Sequence, residues 1–434
     1  MQRYFQIHRQ PAKLSCMKKY SQPLLLRVIT AGILILLMPA CSKYGNKNTQ
    51  AQTYTMYSDL VYKAKTDVLA SINGNAAQPI DHAGKIYIKD NYIYLNEVNR
   101  GIHIIDNSNN SHPVQVAFLS IPGNLDIAIK GNTLYADMYT DLLALDISNP
   151  RLAKLTGQVN NFFVGRSYAF GIYAANTDSI VVDWKEKDTT IFVDQYPVNN
   201  GGGVLFDAAN AGPRKSTGTA GSMAGMVLMN NYLYAITEMH SLGIVDISNP
   251  VAPKLDSTFF AGFDLQTIYP FEDKLFLGSA IGMFIYDVSD PRHPVSMGEF
   301  THGHACDPVI TDGSYAYVTL HSGSSCGGDQ NELDVIDVKD LLHSKLVKTY
   351  QLTKPTGLCK DGDLLFICDG DAVKIYNAAY PAGLQFQQQI ASKEPYDIIA
   401  VNKKALVVNS EGLYQYDYSD MRHIRLLSFL ATKK

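Results

Sequence analysis

One nine-residue stretch, LLALDISNP at 142–150, constrains the fold of this chain more than any other feature, because the chain repeats it. LGIVDISNP stands at 242–250 and MFIYDVSDP at 283–291; looser copies are IHIID (102–106), LDVID (333–337), VKIYN (373–377) and LYQYD (413–417). The aliphatic and β-branched run of each copy reads as a strand with apolar side chains on both faces, as expected where sheets pack on both sides. The Asp is expected to bend back to the backbone two residues on, Ser and Asn to continue the turn, and Pro to withhold a ladder donor. Each unit is a buried strand followed by a hard stop.

The markers lie 40 residues apart from Asp106 to Asp146, 41 from Asp246 to Asp287, and 40 from Asp337 to Asn377 and from Asn377 to Asp417. Two intervals are longer: 50 from Asp287 to Asp337 and 100 from Asp146 to Asp246. Upstream of each marker is a hairpin strand: NYIYL (91–95), NTLYA (132–136), NYLYA (231–235), DKLFL (273–277), SYAYV (314–318), DLLFI (363–367) and KALVV (404–408). A shorter apolar strand precedes these through turn pairs such as Gly131-Asn132 and Asp312-Gly313, and a fourth strand follows the marker. Four strands in a period of ~40 residues, with no helical periodicity, is the pattern of a β-propeller blade. The fold class is therefore all-β: a single propeller of seven four-stranded blades, with eight as the alternative. The blades fall near 84–119, 126–159, 224–259, 265–300, 308–350, 357–389 and 397–431.

Between the second and third blades, about 160–225, the period breaks. SIVVDW and TTIFVD there predict a hairpin turning at Lys185–Asp188, followed by a Gly-rich loop, and this insertion reads as an elaborated outer edge of blade two. An irregular extra blade is the alternative. The segment 66–73, TDVLASIN, resembles a lone fourth strand and is expected to pair against the last blade, hiding sheet edges.

Residues 1–40 read as a targeting segment. Met17-Lys18-Lys19 looks like a true start with its basic region, and the apolar run 28–38 is too short to span a bilayer but fits a secretory signal. It ends in LMPAC, resembling the lipobox of a bacterial lipoprotein, with Cys41 as the acylated first residue; 41–65 is then a lipidated, flexible tether and 66–434 the propeller. The expected address is the cell envelope: an exported chain held by lipid alone, most simply at the outer membrane, periplasmic or surface-exposed. Four cysteines remain in the body, Cys306, Cys326, Cys359 and Cys368, and an even count in an oxidising compartment reads as two disulfides. Of three connectivities, Cys306–Cys326 with Cys359–Cys368 is the local solution.

LGIVDISNP and its siblings resemble the LVIVD repeat of bacterial and archaeal cell-surface proteins. More closely, GKIYIKDNYIYLNEVNRGIHIIDNS (84–108), PGNLDIAIKGNTLYADMYTDLLALDISNP (122–150), ACDPVITDGSYAYV (305–318) and LLFICDG (364–370) resemble a family of exported LVIVD-repeat lipoproteins. The resemblance runs from residue 84 to nearly the end. It implies a β-propeller at the cell envelope and carries no activity with it. The copies VKIYN and LYQYD depart from it by losing the ISNP turn, which leaves the shape of those two loops open.

In a propeller, ligands bind at the channel mouth, where the innermost strands begin. Asp126, Asp264, Asp307 and Asp397 each precede an innermost strand. Loops between second and third strands open on the same face and supply Glu97, Arg100, Asp137, Asp141, Glu238, His240, His321, Asp329, Asp369 and Glu411. One reading is an acidic funnel for a cation such as Ca²⁺, for sugar hydroxyls or for a basic peptide. The other is that each Asp caps the turn entering its strand. His302 and His304, with His321, make a conceivable metal site, or else a polar loop pinned by Cys306–Cys326. His103, on an apolar strand, reads as a satisfied interior histidine. Trp184 with Phe162, Phe163 and Tyr168 forms either a sugar platform or a cover over the outer edge of blade two.

The formal charge of −4 argues against nucleic-acid binding. HExxH, P-loop, EF-hand and Rossmann glycine patterns are absent. The chain therefore reads as a monomeric, non-catalytic binding or scaffold module for an envelope protein or glycan. The alternative is an extracytoplasmic polysaccharide hydrolase or lyase using carboxylates at the mouth.

Overall fold

The computed structural model describes residues 49–168, 171–172, 178–194, 225–303, 308–322 and 330–433. The forty-residue period becomes seven antiparallel sheets, each built on four consecutive strands, and blade one carries Gly74–Asn75 as a fifth. These blades span 83–120, 127–159, 226–260, 265–301, 309–351, 355–391 and 397–431. The marker strands are apolar on both faces because each blade is packed on both sides: in Gly101–Asp106, Ile102, Ile104 and Ile105 are fully buried. Each such side chain contributes about 1.5–3 kcal/mol of burial.

The core falls into seven hydrophobic clusters, one for each interface between neighbouring blades. One of them joins Ile86, Ile93 and Leu95 of blade one to Ile399, Leu406 and Val408 of blade seven, which closes the ring. No strand is shared between first and last blades among the described residues. Backbone contacts reinforce the closure: Ile80 bridges Thr432, the Lys433 N–H donates to the Ile80 carbonyl at 2.5 Å, and the Tyr396 hydroxyl donates to the Ala83 carbonyl.

The turn after each marker forms as its residues require. The carboxylates of Asp106, Asp146, Asp246, Asp287, Asp337 and Asp417 each accept the N–H two residues on, at 2.8–3.1 Å. The two departing copies keep this bond: Asn377 accepts from Ala379 at 2.9 Å, as Asp417 does from Ser419. An amide oxygen serves as well as a carboxylate, so loss of the ISNP letters leaves the turn intact. A register shift in every ladder between third and fourth strands adds twist at the blade edge.

The N-terminal expectations need correction. Residues 66–73 do not form a strand against the last blade: Lys65–Ser71 is a helix, and Gly74–Asn75 pairs instead with the outer strand of blade one. Val68 and Ile72, four residues apart, are both buried, a helical spacing and not an alternation. Nor is the end of the 41–65 segment a tether. Thr49–Ala64 is one long strand, paired with a second, Ser179–Asp194. The expected hairpin at Lys185–Asp188 is therefore absent, because the partner strand comes from the N-terminal side; Lys185 pairs with Asp59 at 2.7 Å and the strand runs on.

The contact pattern separates 53–190 with 201–434 from a second unit, 1–52 with 191–200, of which only the strand ends 49–52 and 191–194 are described. The targeting segment, Cys41, the Gly-rich loop, and Cys306, Cys326, His304, Asp307 and Asp329 lie outside the described residues. Cys359 and Cys368 stand as two thiols, not as the expected bridge. Cys359 is opposite Phe366 across its hairpin, so Cys368 is a diagonal neighbour. Diagonal positions lie about 7–8 Å apart, beyond the roughly 4.4–6.8 Å between Cα atoms that a disulfide tolerates.

Candidate functional site: the channel mouth

Loops entering the innermost strands and loops joining second to third strands share one face. At blades one and two this face is a buried polar network. Asp137 Oδ1 accepts from the Leu125 and Asp126 N–H groups at 2.9 and 2.8 Å and from the Asn124 amide at 2.8 Å. Its other oxygen pairs with Arg166, whose guanidinium lies 3.8 Å over the Phe163 ring. Asn96 donates to Asn124 Oδ1 at 2.7 Å. Together these side chains hold the connection from blade one to blade two.

Asp126 itself accepts from the Ile127 N–H at 2.9 Å and from the Gly225 N–H at 3.0 Å, and pairs with Lys85, which is 1% exposed. Burial pushes the Asp126 carboxyl above its ordinary range, and the Lys85 charge works against that push. Glu97 accepts from the N–H groups of Asp81, at 3.0 Å, and His82, and its carboxylate meets His103 Nε2 at 2.8 Å. Although burial pushes Glu97 up, the His103 contact and the two amides hold it below the usual carboxylate range. His103 is thus the interior histidine its strand implies. In blade six Asp369 accepts from the Thr353 and Lys354 N–H groups at 2.8 and 2.7 Å and pairs with Lys374.

Of the four entry aspartates, Asp126 and Asp397 are buried, and Asp264 is half-exposed in a left-handed turn (φ 50°). Asp307 lies outside the described residues. His302 Nδ1 approaches the Gly303 carbonyl at 2.6 Å, His321 follows the strand Tyr315–Leu320, and the Glu411 carboxylate accepts from Tyr414 at 3.0 Å. Among the described residues no group of three His, Cys, Asp or Glu could hold a metal ion.

The described residues of the insertion do not lie along the outer edge of blade two; they meet the mouth loops of blades one and two. Asp141 accepts from the Asn161 N–H at 3.0 Å and pairs with Lys65. Tyr139 donates to the Val181 carbonyl at 2.7 Å, and Tyr168 to the Tyr139 carbonyl at 3.1 Å. Arg100 pairs with Asp183 at 3.1 Å and stacks 4.4 Å over Trp184. Trp184 and Phe163 are buried there and present no open face to a sugar. The reason is topological: the connection from blade two to blade three opens on the mouth, so its apolar rings reach the mouth loops first.

At blades three and four the described mouth residues include exposed aromatic side chains. Phe260 and Phe263 are 58% and 53% exposed beside His240 and Met239, while Glu238 stands exposed at the border of the insertion. Sequence reasoning placed Glu238 and His240 at the mouth but missed Phe260 and Phe263, because exposed Phe in a short loop looks like any core aromatic. It also missed Lys85 and Arg166, although a lysine inside the apolar strand GKIYIK was a usable signal for a buried partner.

The LVIVD repeat matches residues 81–118, 124–161 and 220–260, which are blades one, two and three. Three of the seven blades of this propeller thus carry LVIVD repeats. Its fold is shared with a periplasmic gluconolactonase of Pseudomonas aeruginosa (TM-score 0.52, 11% identity, covering 83% of this chain and 97% of that one). A Lactobacillus plantarum protein is similar at the same level (TM-score 0.52, 12% identity, 81% and 96% covered), as is the computationally designed Ika8 (TM-score 0.51, 8% identity, 83% and 92%). At these identities the likeness is of fold alone. Among curated proteins, none matches the sequence of this propeller.

Proposed function

We propose that the propeller is an exported, non-catalytic binding module of the cell envelope, held by lipid on Cys41 and presenting its mouth face to a protein or glycan partner. One observation carries the reading. The mouth carboxylates Glu97, Asp126, Asp137, Asp141 and Asp369 are engaged by backbone N–H groups or by cationic partners, so they hold loops in place. Such a face is rigid, and rigidity lowers the ordering cost of association. No helix among the described residues is long and apolar enough to cross a membrane. The test is cosedimentation of the purified chain with envelope fragments. Saturable binding, competed by excess unlabelled chain, is expected. Absence of saturable binding, or release of reducing ends from envelope polysaccharide, would overturn the reading.

A further inference from the structure

The mouth at blades three and four has a defined chemistry. Phe260 and Phe263 meet edge to face at 5.1 Å, and His240 lies 5.5 Å from Phe263 and 6.3 Å from Phe260. Met239, 39% exposed, borders the rings. This knuckle is locked from beneath. The Leu265 and Ala261 N–H groups donate to the Met239 and His240 carbonyls at 2.7 and 2.9 Å, and the Asp264 N–H donates to His240 Nδ1 at 3.3 Å. Gly262 sits at φ 142°, and a Cβ there would stand 2.7 Å from the Phe284 ring, so blade four fixes the loop from the other side.

Two large aromatic side chains held in water on a rigid loop are poorly explained by the propeller's own stability. Rigid, exposed aromatics are the side chains that carry binding energy at interfaces. The charge around them is one-sided. Glu238 and Asp264 flank the knuckle, and the mouth loops 239–240, 261–264 and 280–281 contain no Lys or Arg. Across the mouth, by contrast, Lys65, Arg100 and Arg166 are each paired with an acid of this chain and lie beneath or against the insertion.

We infer that the knuckle at blades three and four docks a peptide segment of a partner protein, with an aromatic or aliphatic side chain packing on the exposed surfaces of Phe260 and Phe263 beside a lysine or arginine that meets Glu238 and Asp264. The two rings brace each other edge to face and leave more than half of each side chain exposed, an apolar surface on which one apolar side chain can pack. The inference rests on the binding-module reading and assigns it a partner chemistry.

The test is selection of phage-displayed random dodecapeptides on the full chain, then fluorescence polarisation with the enriched peptides. Enriched sequences are expected to place a Phe, Trp, Tyr or Leu within two residues of Lys or Arg. Their affinity is expected to fall at least tenfold for F260S/F263S and several-fold for E238Q/D264N, with binding to the wild type weakening as salt rises. All four positions are at least partly exposed, so both variants are expected to keep the wild-type circular dichroism and melting curve; Asn also tolerates the left-handed turn at 264. Enriched peptides that bind F260S/F263S as tightly as wild type, or that are acidic, would overturn the inference. So would failure to enrich any peptide while arrayed glycans bind in a Phe263-dependent way. Either result leaves saturable envelope binding standing, so it separates this inference from the broader one.

Discussion

Replacing Asp137 by Ala probes the network that fastens the insertion to the ring. Asp137 is fully buried, and its removal orphans the Leu125 and Asp126 N–H groups, each costing about 1–3 kcal/mol. It also strips Arg166, 15% exposed, of its paired carboxylate, with only the Asp126 charge remaining nearby, and breaking such a pair costs about 3–5 kcal/mol. These losses share one side chain and overlap, so the expected total is about 4–6 kcal/mol. Asp137→Asn keeps an acceptor for the two amides and is expected to lose about 2 kcal/mol, the share of the lost charge. Urea unfolding reads both parts of the molecule, because Trp184 is the only tryptophan and lies in the insertion, while far-ultraviolet circular dichroism follows the blades. In Asp137→Ala the tryptophan transition is expected to move to lower urea than the dichroism transition, as the insertion releases first. Arg166→Met in the Asp137→Ala background is expected to cost far less than alone. A loss below about 1 kcal/mol for Asp137→Ala, or additive single and double losses, would refute the network as described.

The marker turns make acid stability predictable in sign. Amide and hydroxyl hydrogen bonds from the residues two on hold Asp106, Asp146, Asp246, Asp287 and Asp417 below the ordinary carboxylate range, and the Lys339 amide does the same for Asp337. A depressed carboxyl stabilises the fold above its unfolded value, near pH 3.9, and that stability is lost as pH falls through the lower folded value. The urea midpoint is therefore expected to drop between about pH 4 and pH 2, and Asn at all six positions, as occurs naturally at Asn377, is expected to flatten that limb; an unchanged limb would contradict it. Gly101→Ala is expected to cost about 2–3 kcal/mol in the same assay, since the residue sits at φ 147° and an added Cβ overlaps the Leu119 carbonyl. Alkylation of the unfolded, unreduced chain followed by mass spectrometry is expected to label both Cys359 and Cys368; protection of the two until reduction would restore the bridge.

The fold was legible because a period of forty residues, fixed by a buried strand and an Asx turn, leaves a packed ring few alternatives. Blade boundaries followed from the hairpin strands and fell within a few residues of those observed. What the sequence hid were pairings set at long range. SIVVDWKEKDTTIFVD carries a polar centre that looks like a turn, and only Thr49–Ala64 alongside makes it a straight strand. TDVLASIN is β-rich by composition, yet burial of Val68 and Ile72 makes it helical. At the mouth, sequence located the carboxylates but not their partners: Asp137 and Arg166 are 29 residues apart, and Asp126 meets the amide of Gly225 across 99. The cysteines illustrate the same limit. Cys359 and Cys368 are close along the chain, but a two-residue offset in the hairpin register separates them.

The central claim is that one face of the propeller is used, at blades three and four. A photo-crosslinking residue at 263, compared in living cells with the same residue at 422 on the opposite face, tests that directly. The account predicts a discrete adduct from 263, absent from 422 and lost when Phe260 is Ser. Equal adducts from both positions, or a discrete adduct from 422 alone, would contradict it.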